Sequence, residues 1–240
     1  MKSLAHRAFI AIFLMFGMAA PIQAAAPTPA PAPTPAPAES AAEKQFVSSV
    51  TADLQSRFAT TAQASAAGYF QYTVEDQTGA ISWVNTSYWQ SDQTHPSQLW
   101  YDVKGRLIGA DFSVLQSNSA ARPTIWGISP SRWLDFSPAH IHFAIKSAAG
   151  PQYSGAGDKT VAKVGGSVNN PTAEDVVKIS KLPGWKRRGI PAPQSAADVA
   201  FVFSFPAIWD LQVWLVPNPL GAFAEHNPNV IPSANAKEQD

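Results

Sequence analysis

Two imidazoles stand two residues apart in the run Ser137-Pro138-Ala139-His140-Ile141-His142-Phe143-Ala144-Ile145. The run alternates as a β-strand does, and successive strand side chains point to opposite faces. His140 and His142 therefore share one face. Ile141, Phe143 and Ile145 share the other, which is the core side. Imidazole nitrogens presented in this way can ligate one metal ion, with a third donor drawn from elsewhere in the chain. His226 or His95 is the obvious third donor, and a carboxylate such as Asp111 or Glu225 the next. So nitrogen-rich a set suits Zn, Cu or Fe and leaves positions open for water or substrate. The same spacing also fits a histidine-lined organic-ligand pocket, an acid–base site, or two residues on the solvated face of an edge strand.

Histidine is scarce. Of five in the chain, His6 lies in the leading segment, which leaves His95, His140, His142 and His226. His95-Pro96 sits in a polar loop, where a capping role is the simpler reading. His226 follows Glu225, whose carboxylate would hold it in one tautomer if the two pair. There is no cysteine, so disulfides, thiolate metal sites, cysteine nucleophiles and a lipid-bearing cysteine are excluded. Seventeen basic residues balance seventeen acidic ones, and loss of Lys2 and Arg7 with a leader leaves a slight acidic excess. Nucleic-acid binding needs a basic face, and this balance does not suggest one. Gly155-Ala156-Gly157-Asp158-Lys159-Thr160 lacks phosphate-loop spacing, and neither G-x-S-x-G nor H-E-x-x-H occurs. The basic run Lys178, Lys181, Lys186, Arg187 and Arg188 reads as a solvated loop, with an anionic surface or lipid as the other reading.

Residues 1–24 read as a secretory signal. Lys2 and Arg7 precede the apolar stretch Phe9–Phe16, and Ile22-Gln23-Ala24 offers a small-residue cleavage site. The apolar stretch is short for a span of ~20 residues, so no transmembrane segment is expected after cleavage. The expected location is the periplasm or the medium. Residues 25–39 alternate Pro with Ala and Thr and read as a stiff polyproline II spacer. The remainder, 40–232, is expected to be a single globular domain, with 233–240 a disordered tail.

Ser40-Ala41-Ala42-Glu43 fits a capping box, and Val47, Val50, Leu54, Phe58 and Ala62 recur at helical spacing. One helix over about 40–66 is expected. From Tyr69 the period changes to two. Strands are expected at 69–75 and 80–85 around a turn at Asp76–Gly79, then a second hairpin, 98–103 and 106–115, across Lys104-Gly105. Residues 147–170 read as loop with at most one short strand, and a short helix follows from Pro171 to about Lys181. Val199–Phe205 and Leu211–Val216 are the most apolar stretches and are expected to be central strands. The fold class is thus α+β: a long N-terminal helix packed on a mostly antiparallel sheet, curved or barrel-like.

The chain resembles an uncharacterised group of exported bacterial proteins. Ala66-Ala67-Gly68-Tyr69 matches that group's helix end, and Trp83-Val84-Asn85 its G-x-H-[YW]-[VI]-N strand. Pro96, Leu99, Tyr101-Asp102, Gly105, Leu107 and Gly109 match its P-x-x-L-x-Y-D-x-x-G-x-L-x-G block. His140 and His142 match its H-x-H. Val213-Trp214 and Asn218–Pro228 match its closing H-V-W and N-P-x-G-x-F-A-x-x-N-P. The resemblance spans about Ala66 to Pro228. Ser82 and Gln212 stand where the pattern carries histidines, so two of four group histidines are replaced here. The resemblance implies that the first strand, the H-x-H strand and the last strand converge, with Ser82, Gln212, His140 and His142 facing one cavity.

The expected function is therefore an exported domain that binds a small-molecule ligand in a polar, histidine-containing cavity. Ser82, Gln212, Trp83 and Trp214 are the candidate ligand-binding residues, with Trp89 and Trp126 adding to the aromatic surround. The metal reading makes His140, His142 and His226 ligands of Zn, Cu or Fe. A catalytic form would activate water or dioxygen at that metal. The competing expectation is a non-enzymatic structural or interaction protein of the envelope, presented by the Pro/Ala spacer. Substrate, catalytic residues and oligomeric state are not legible.

Overall fold

The computed structural model describes residues 37–237. The leader at 1–24 and the spacer up to residue 36 lie outside the described residues, as do 238–240. Residues 37–39 are tied to the domain. The Pro37 carbonyl accepts from Arg132 Nη2 at 2.8 Å, and Glu39 Oε1 accepts the Ala222 N–H at 2.8 Å.

The first helix, α1, runs over Ala41–Arg57. Its start follows from the reciprocal cap: Ser40 Oγ accepts the Glu43 N–H (3.1 Å), and Glu43 Oε2 accepts the Ser40 N–H (2.8 Å). Glu43 also receives Arg132 Nε at 3.1 Å, with both side chains buried. Burial pulls the Glu43 carboxyl upward. The bonds from Arg132 and from the Ser40 and Ser129 N–H groups outweigh it and hold the pKa at about 2.

The expected single helix over 40–66 is two. Phe58 leaves the helix, and Thr60 caps a second one, α2 (Thr61–Ala66), with its own Thr60–Gln63 box. The competing cap at Thr60 breaks the run and resets its phase. Ala64 is then the buried residue and Ala62 is exposed, while Val50, Leu54 and Phe58 are buried as the stripe requires; at its start Phe46 is buried and the expected Val47 only half-buried.

The chain is a mixed α+β fold with two antiparallel sheets. The first sheet contains β1 (Phe70–Gln71), β2 (Ile81–Val84), β3 (Gln98–Tyr101), β4 (Leu107–Leu115) and β5 (Trp133–Phe136). The second contains β6 (His140–Ile145), β7 (Gln152–Gly157) and β8 (Val199–Phe205). The last strand, β9 (Ile208–Trp214), returns to the first sheet, whose order is β1-β2-β3-β4-β9-β5. The second sheet has the order β7-β6-β8. The first sheet ends in the edge strands β1 and β5, and no barrel closes among the described residues.

Two regions differ from expectation. β8, expected to be central, is an edge strand of its sheet. Its apolar residues are accounted for by Phe201, Phe203 and Phe205, which pack on the first sheet (Phe70–Phe201 5.2 Å, Phe70–Phe203 5.5 Å). The 147–170 region contains a short helix, α3 (Asp158–Ala162), as well as β7. A longer helix, α4 (Ala173–Ser180), follows the Thr172 cap.

The pairing register assigns the faces of the first sheet. Trp83, Leu99, Ala110 and Val213 form one row, with Phe112, Leu211 and Trp133 in the next. This apolar face packs on Phe46, Val50 and Leu54 of α1. The opposite face carries Ser82, Trp100, Gly109 and Trp214 in one row, then Val84, Gln98, Asp111 and Gln212, then Ser113 and Asp210. A Cβ on Gly109 would stand 2.1 Å from the Trp100 ring, so glycine is what lets the indole lie across β4. Of the stretch read as a tail, Ser233 donates to Glu75 Oε1 through its N–H (2.8 Å), and the Lys237 N–H to the Glu75 carbonyl (2.9 Å). No helix among the described residues is long and apolar enough to cross a membrane.

Candidate functional site

β6 delivers the histidines as its alternation requires. Ile141, Phe143 and Ile145 are buried against Val161 of α3, Val176 and Ile179 of α4, and Trp185. His140 and His142 occupy the other face. Cross-strand pairing with β8 lays His140 on Phe205 (4.7 Å, 18°) and His142 on Phe203 (5.6 Å, 21°). Stacking on both partners fixes the ring planes. The two Nε2 atoms then meet at 3.1 Å.

Geometry sets the protonation state of this pair. His140 Nδ1 lies 3.2 Å from the Pro138 carbonyl, which can only accept, so Nδ1 carries the proton. His140 Nε2 is then a bare lone pair when the ring is neutral, and His142 Nε2–H donates to it. Protonating both rings would point two N–H groups at each other. Burial lowers the pKa of both, and the neighbouring His140 adds to the effect on His142, which falls to about 3. Both imidazoles are neutral at neutral pH, the form a metal requires.

Tyr72 joins this pair to the polar face of the first sheet. Its ring stands edge-on to His142 at 4.8 Å and 80°. Its hydroxyl donates to Gln98 Oε1 and is hydrogen-bonded to the Ser82 side chain. Beyond Gln98 the row reaches Asp111, whose Oδ2 accepts Trp100 Nε1–H at 2.8 Å. Asp210 Oδ1 accepts from Ser113 Oγ at 3.4 Å, and the Gln212 side chain also bonds this carboxyl. Ser113 Oγ in turn lies 2.6 Å from Ser97 Oγ. Asp111 and Asp210 are 3% and 1% exposed, and Asp111 Oδ1 and Asp210 Oδ2 find no partner among the described residues. Burial pushes both carboxyls up, and the charge of Asp210 pushes Asp111 further. Asp210 reaches about 7 against the opposing Ser113 and Gln212 bonds. The result is a line of polar side chains, the seam, that runs from His140 to the buried carboxyls of Asp111 and Asp210, linked by ring contact between His142 and Tyr72 and by strand pairing between Gln98 and Asp111.

One prediction follows for the link. Tyr72→Phe keeps the ring against His142 but leaves Gln98 Oε1 without its donor inside the protein. Unfolding free energy in urea should fall by about 1–3 kcal/mol. An unchanged midpoint would mean that the hydroxyl contributes nothing to the seam.

The candidate residues divide. Ser82 and Gln212 share the polar face, three strand spacings and one row apart, ~16 Å, each joined to the seam through Tyr72 or Asp210. Trp214 also lies on that face but is a packing residue. It meets Trp100 at 5.3 Å, and its Nε1–H donates to the Ala224 carbonyl at 2.7 Å. Trp83 faces the other way, onto Tyr101 at 5.9 Å, because it sits one residue out of phase with Ser82. Trp126 stacks on Phe46 in the helix-side core, and Trp89 meets Phe205 at 4.6 Å, close behind His140. His226 lies in the closing loop, 3.9 Å from Glu225, and His95 bonds Asp92 at 2.9 Å. No group of three His, Asp or Glu side chains among the described residues is placed to hold a metal, so His226 does not complete a set with His140 and His142.

Sequence reasoning missed Tyr72, Gln98 and Asp210. A usable signal existed for the last: Asp210 interrupts Ile208-Trp209-Asp210-Leu211, as Asp111 interrupts Ile108-Gly109-Ala110-Asp111-Phe112. A carboxylate in an apolar strand is costly and asks for a reason. Comparison of the chain with protein-family models, with curated proteins and with solved structures finds no match.

Proposed function

We propose that the chain is an exported domain that binds a small ligand in the polar seam, through a transition-metal ion held by the Nε2 atoms of His140 and His142. The convergence of those two atoms to 3.1 Å is the observation that carries the reading. With Zn–N bonds of ~2.0–2.1 Å, that separation corresponds to an N–Zn–N angle of ~100°, which fits a four-coordinate site. The Pro138 carbonyl on His140 Nδ1 is the outer partner such a ligand needs to keep its orientation. For His142 to bind through Nε2, its proton must move to Nδ1 or leave.

The described residues supply no third His, Asp or Glu. With two protein donors, the remaining positions would be filled by water and by the incoming ligand. Zn, Cu and Fe all suit imidazole nitrogen, and an ion here would polarise a donor atom of the ligand. The basic start, short apolar stretch and small-residue cleavage site support periplasmic or secreted placement.

Titration of the purified protein with Co²⁺, followed by its visible ligand-field absorption, should saturate at one ion per chain. Absence of saturable absorption would overturn the reading. The pH dependence supplies a second check. Protons compete with a metal only where the imidazole would hold one. With His142 titrating at about 3 and His140 below its ordinary value, affinity should fall by only a few-fold at most from about pH 7.5 to pH 6. An ordinary pair titrating near pH ~6.5 would lose about tenfold over that range. Competition with a chromophoric chelator at each pH separates the two.

A further inference from the structure

On the far side of the second sheet, the segment after α4 encloses two adjoining depressions of about 580 Å³ and 330 Å³. They share Leu182, Pro183, Gly184, Trp185 and Arg187 and so form the two halves of one groove. Lys181, Lys186 and Arg187 line the larger half, Lys163 and Arg187 the smaller, and no carboxylate lines either. Among the described residues, none of these four cations takes part in an ion pair. Arg188 differs: its Nη1 donates to Ser154 Oγ at 2.7 Å, and its guanidinium lies 5.5 Å over the Trp185 ring.

Trp185 is the fixed wall of the groove. It stacks on Phe143 at 5.9 Å and 12°, so β6 holds it from behind. It is 7% exposed, and its Nε1–H is buried with no acceptor among the described residues. An indole N–H can only donate, and leaving it unpaired is costly. Gly184, at φ +99°, is equally pointed. A Cβ there would stand 2.8 Å from Arg187 Nη2, so the missing side chain lets the guanidinium lie over the turn. A solvated basic loop needs neither a rigid aromatic wall nor a glycine that lets a guanidinium lie over its turn.

We propose that this groove is an oxyanion-binding site, which takes a phosphate- or sulfate-bearing small molecule. Its anionic group meets Lys181, Lys186 and Arg187, over a floor backed by the Trp185 indole. Its carbon skeleton lies on Leu182, Pro183 and the indole. The same chemistry is offered by a soluble phosphate ester and by the headgroup of an anionic phospholipid. The site stands apart from the histidine pair, which lies on the opposite face of β6, and does not depend on metal binding there.

Inorganic phosphate and glycerol phosphate, titrated into ¹⁵N-labelled full-length protein at low salt, should shift the Trp185 indole resonance saturably. Vesicles of phosphatidylglycerol in phosphatidylcholine, against phosphatidylcholine alone, form the second arm. Lys181→Gln/Lys186→Gln/Arg187→Gln, all surface changes, should weaken binding about tenfold or more by removing the attracting charge. Trp185→Phe, which retains the stacking ring, should weaken it several-fold. Saturation by glycerol phosphate identifies a soluble ligand. Binding confined to the phosphatidylglycerol vesicles, and lost in the triple variant, identifies a lipid headgroup. No shift with any probe, or a triple variant that binds as the wild type does, overturns the proposal.

Discussion

The double variant His140→Ala/His142→Ala should lose metal affinity by about a thousandfold, since it removes both nitrogen donors of the proposed site, to which no third ligand is added among the described residues. Each single variant should lose most of that, because one imidazole with water in the remaining positions is a poor chelate. The change is large because the pair acts as a unit. His140 is oriented by the Pro138 carbonyl, and His142 is held by Phe203 and the edge of Tyr72. His226→Ala should leave affinity unchanged, as should His95→Ala, whose ring is already engaged with Asp92. A His226→Ala variant that lost the metal would mean that the closing loop donates a ligand. Circular dichroism and urea midpoints of the double variant separate loss of ligands from loss of fold.

The second large effect concerns pH. Asp111 and Asp210 titrate above their unfolded values, Asp210 at about 7, because burial disfavours their charge. Between ~3.9, the ordinary aspartate value, and that raised one, the folded chain holds protons the unfolded chain has lost. Acidification through this window therefore stabilises the fold, and the gain is lost again as the pH rises through the folded pKa. His142 works in the opposite sense. Burial lowers it to about 3, so as the pH falls below ~6.5 the unfolded chain takes up a proton that the folded chain refuses, and stability falls. The two linkages overlap and offset each other in the wild type.

Separating them should expose both. Asp111→Asn/Asp210→Asn removes the acid gain, and its stability should fall by about 2 kcal/mol between pH 7 and pH 5. His140→Ala/His142→Ala should instead gain stability over the same interval. Urea unfolding at half-unit pH steps measures each slope. Parallel profiles for the wild type and both variants would show that the seam does not titrate as its burial implies.

Much of the scaffold was legible because local chemistry decides it. Ser40 and Glu43 announce the start of α1, and the two-residue period of the His140–Ile145 run places Ile141, Phe143 and Ile145 inside. The break at Phe58–Thr60 was harder to read, since two capping boxes compete within one apolar stripe and the second wins locally. β8 was read as central because Phe201, Phe203 and Phe205 are apolar. Burial of an edge strand by another sheet leaves the same mark as burial between neighbours. At the site, the histidine pair was visible from spacing alone, whereas its partner Tyr72 was not, because it reaches His142 only through sheet-on-sheet packing. Trp83, read as part of the aromatic surround, faces away from Ser82, because adjacent strand residues point to opposite sides. Closure of a third ligand on the pair depends on where the loop after β9 travels, and no local pattern sets that path.

The most direct test of the central claim is anomalous diffraction from crystals of the untagged protein grown with Zn²⁺. The account predicts a peak ~2.0–2.1 Å from both His140 Nε2 and His142 Nε2, with non-protein density in the remaining positions. A crystal with the two rings still hydrogen-bonded to each other, and no peak beside them at saturating Zn²⁺, would contradict it.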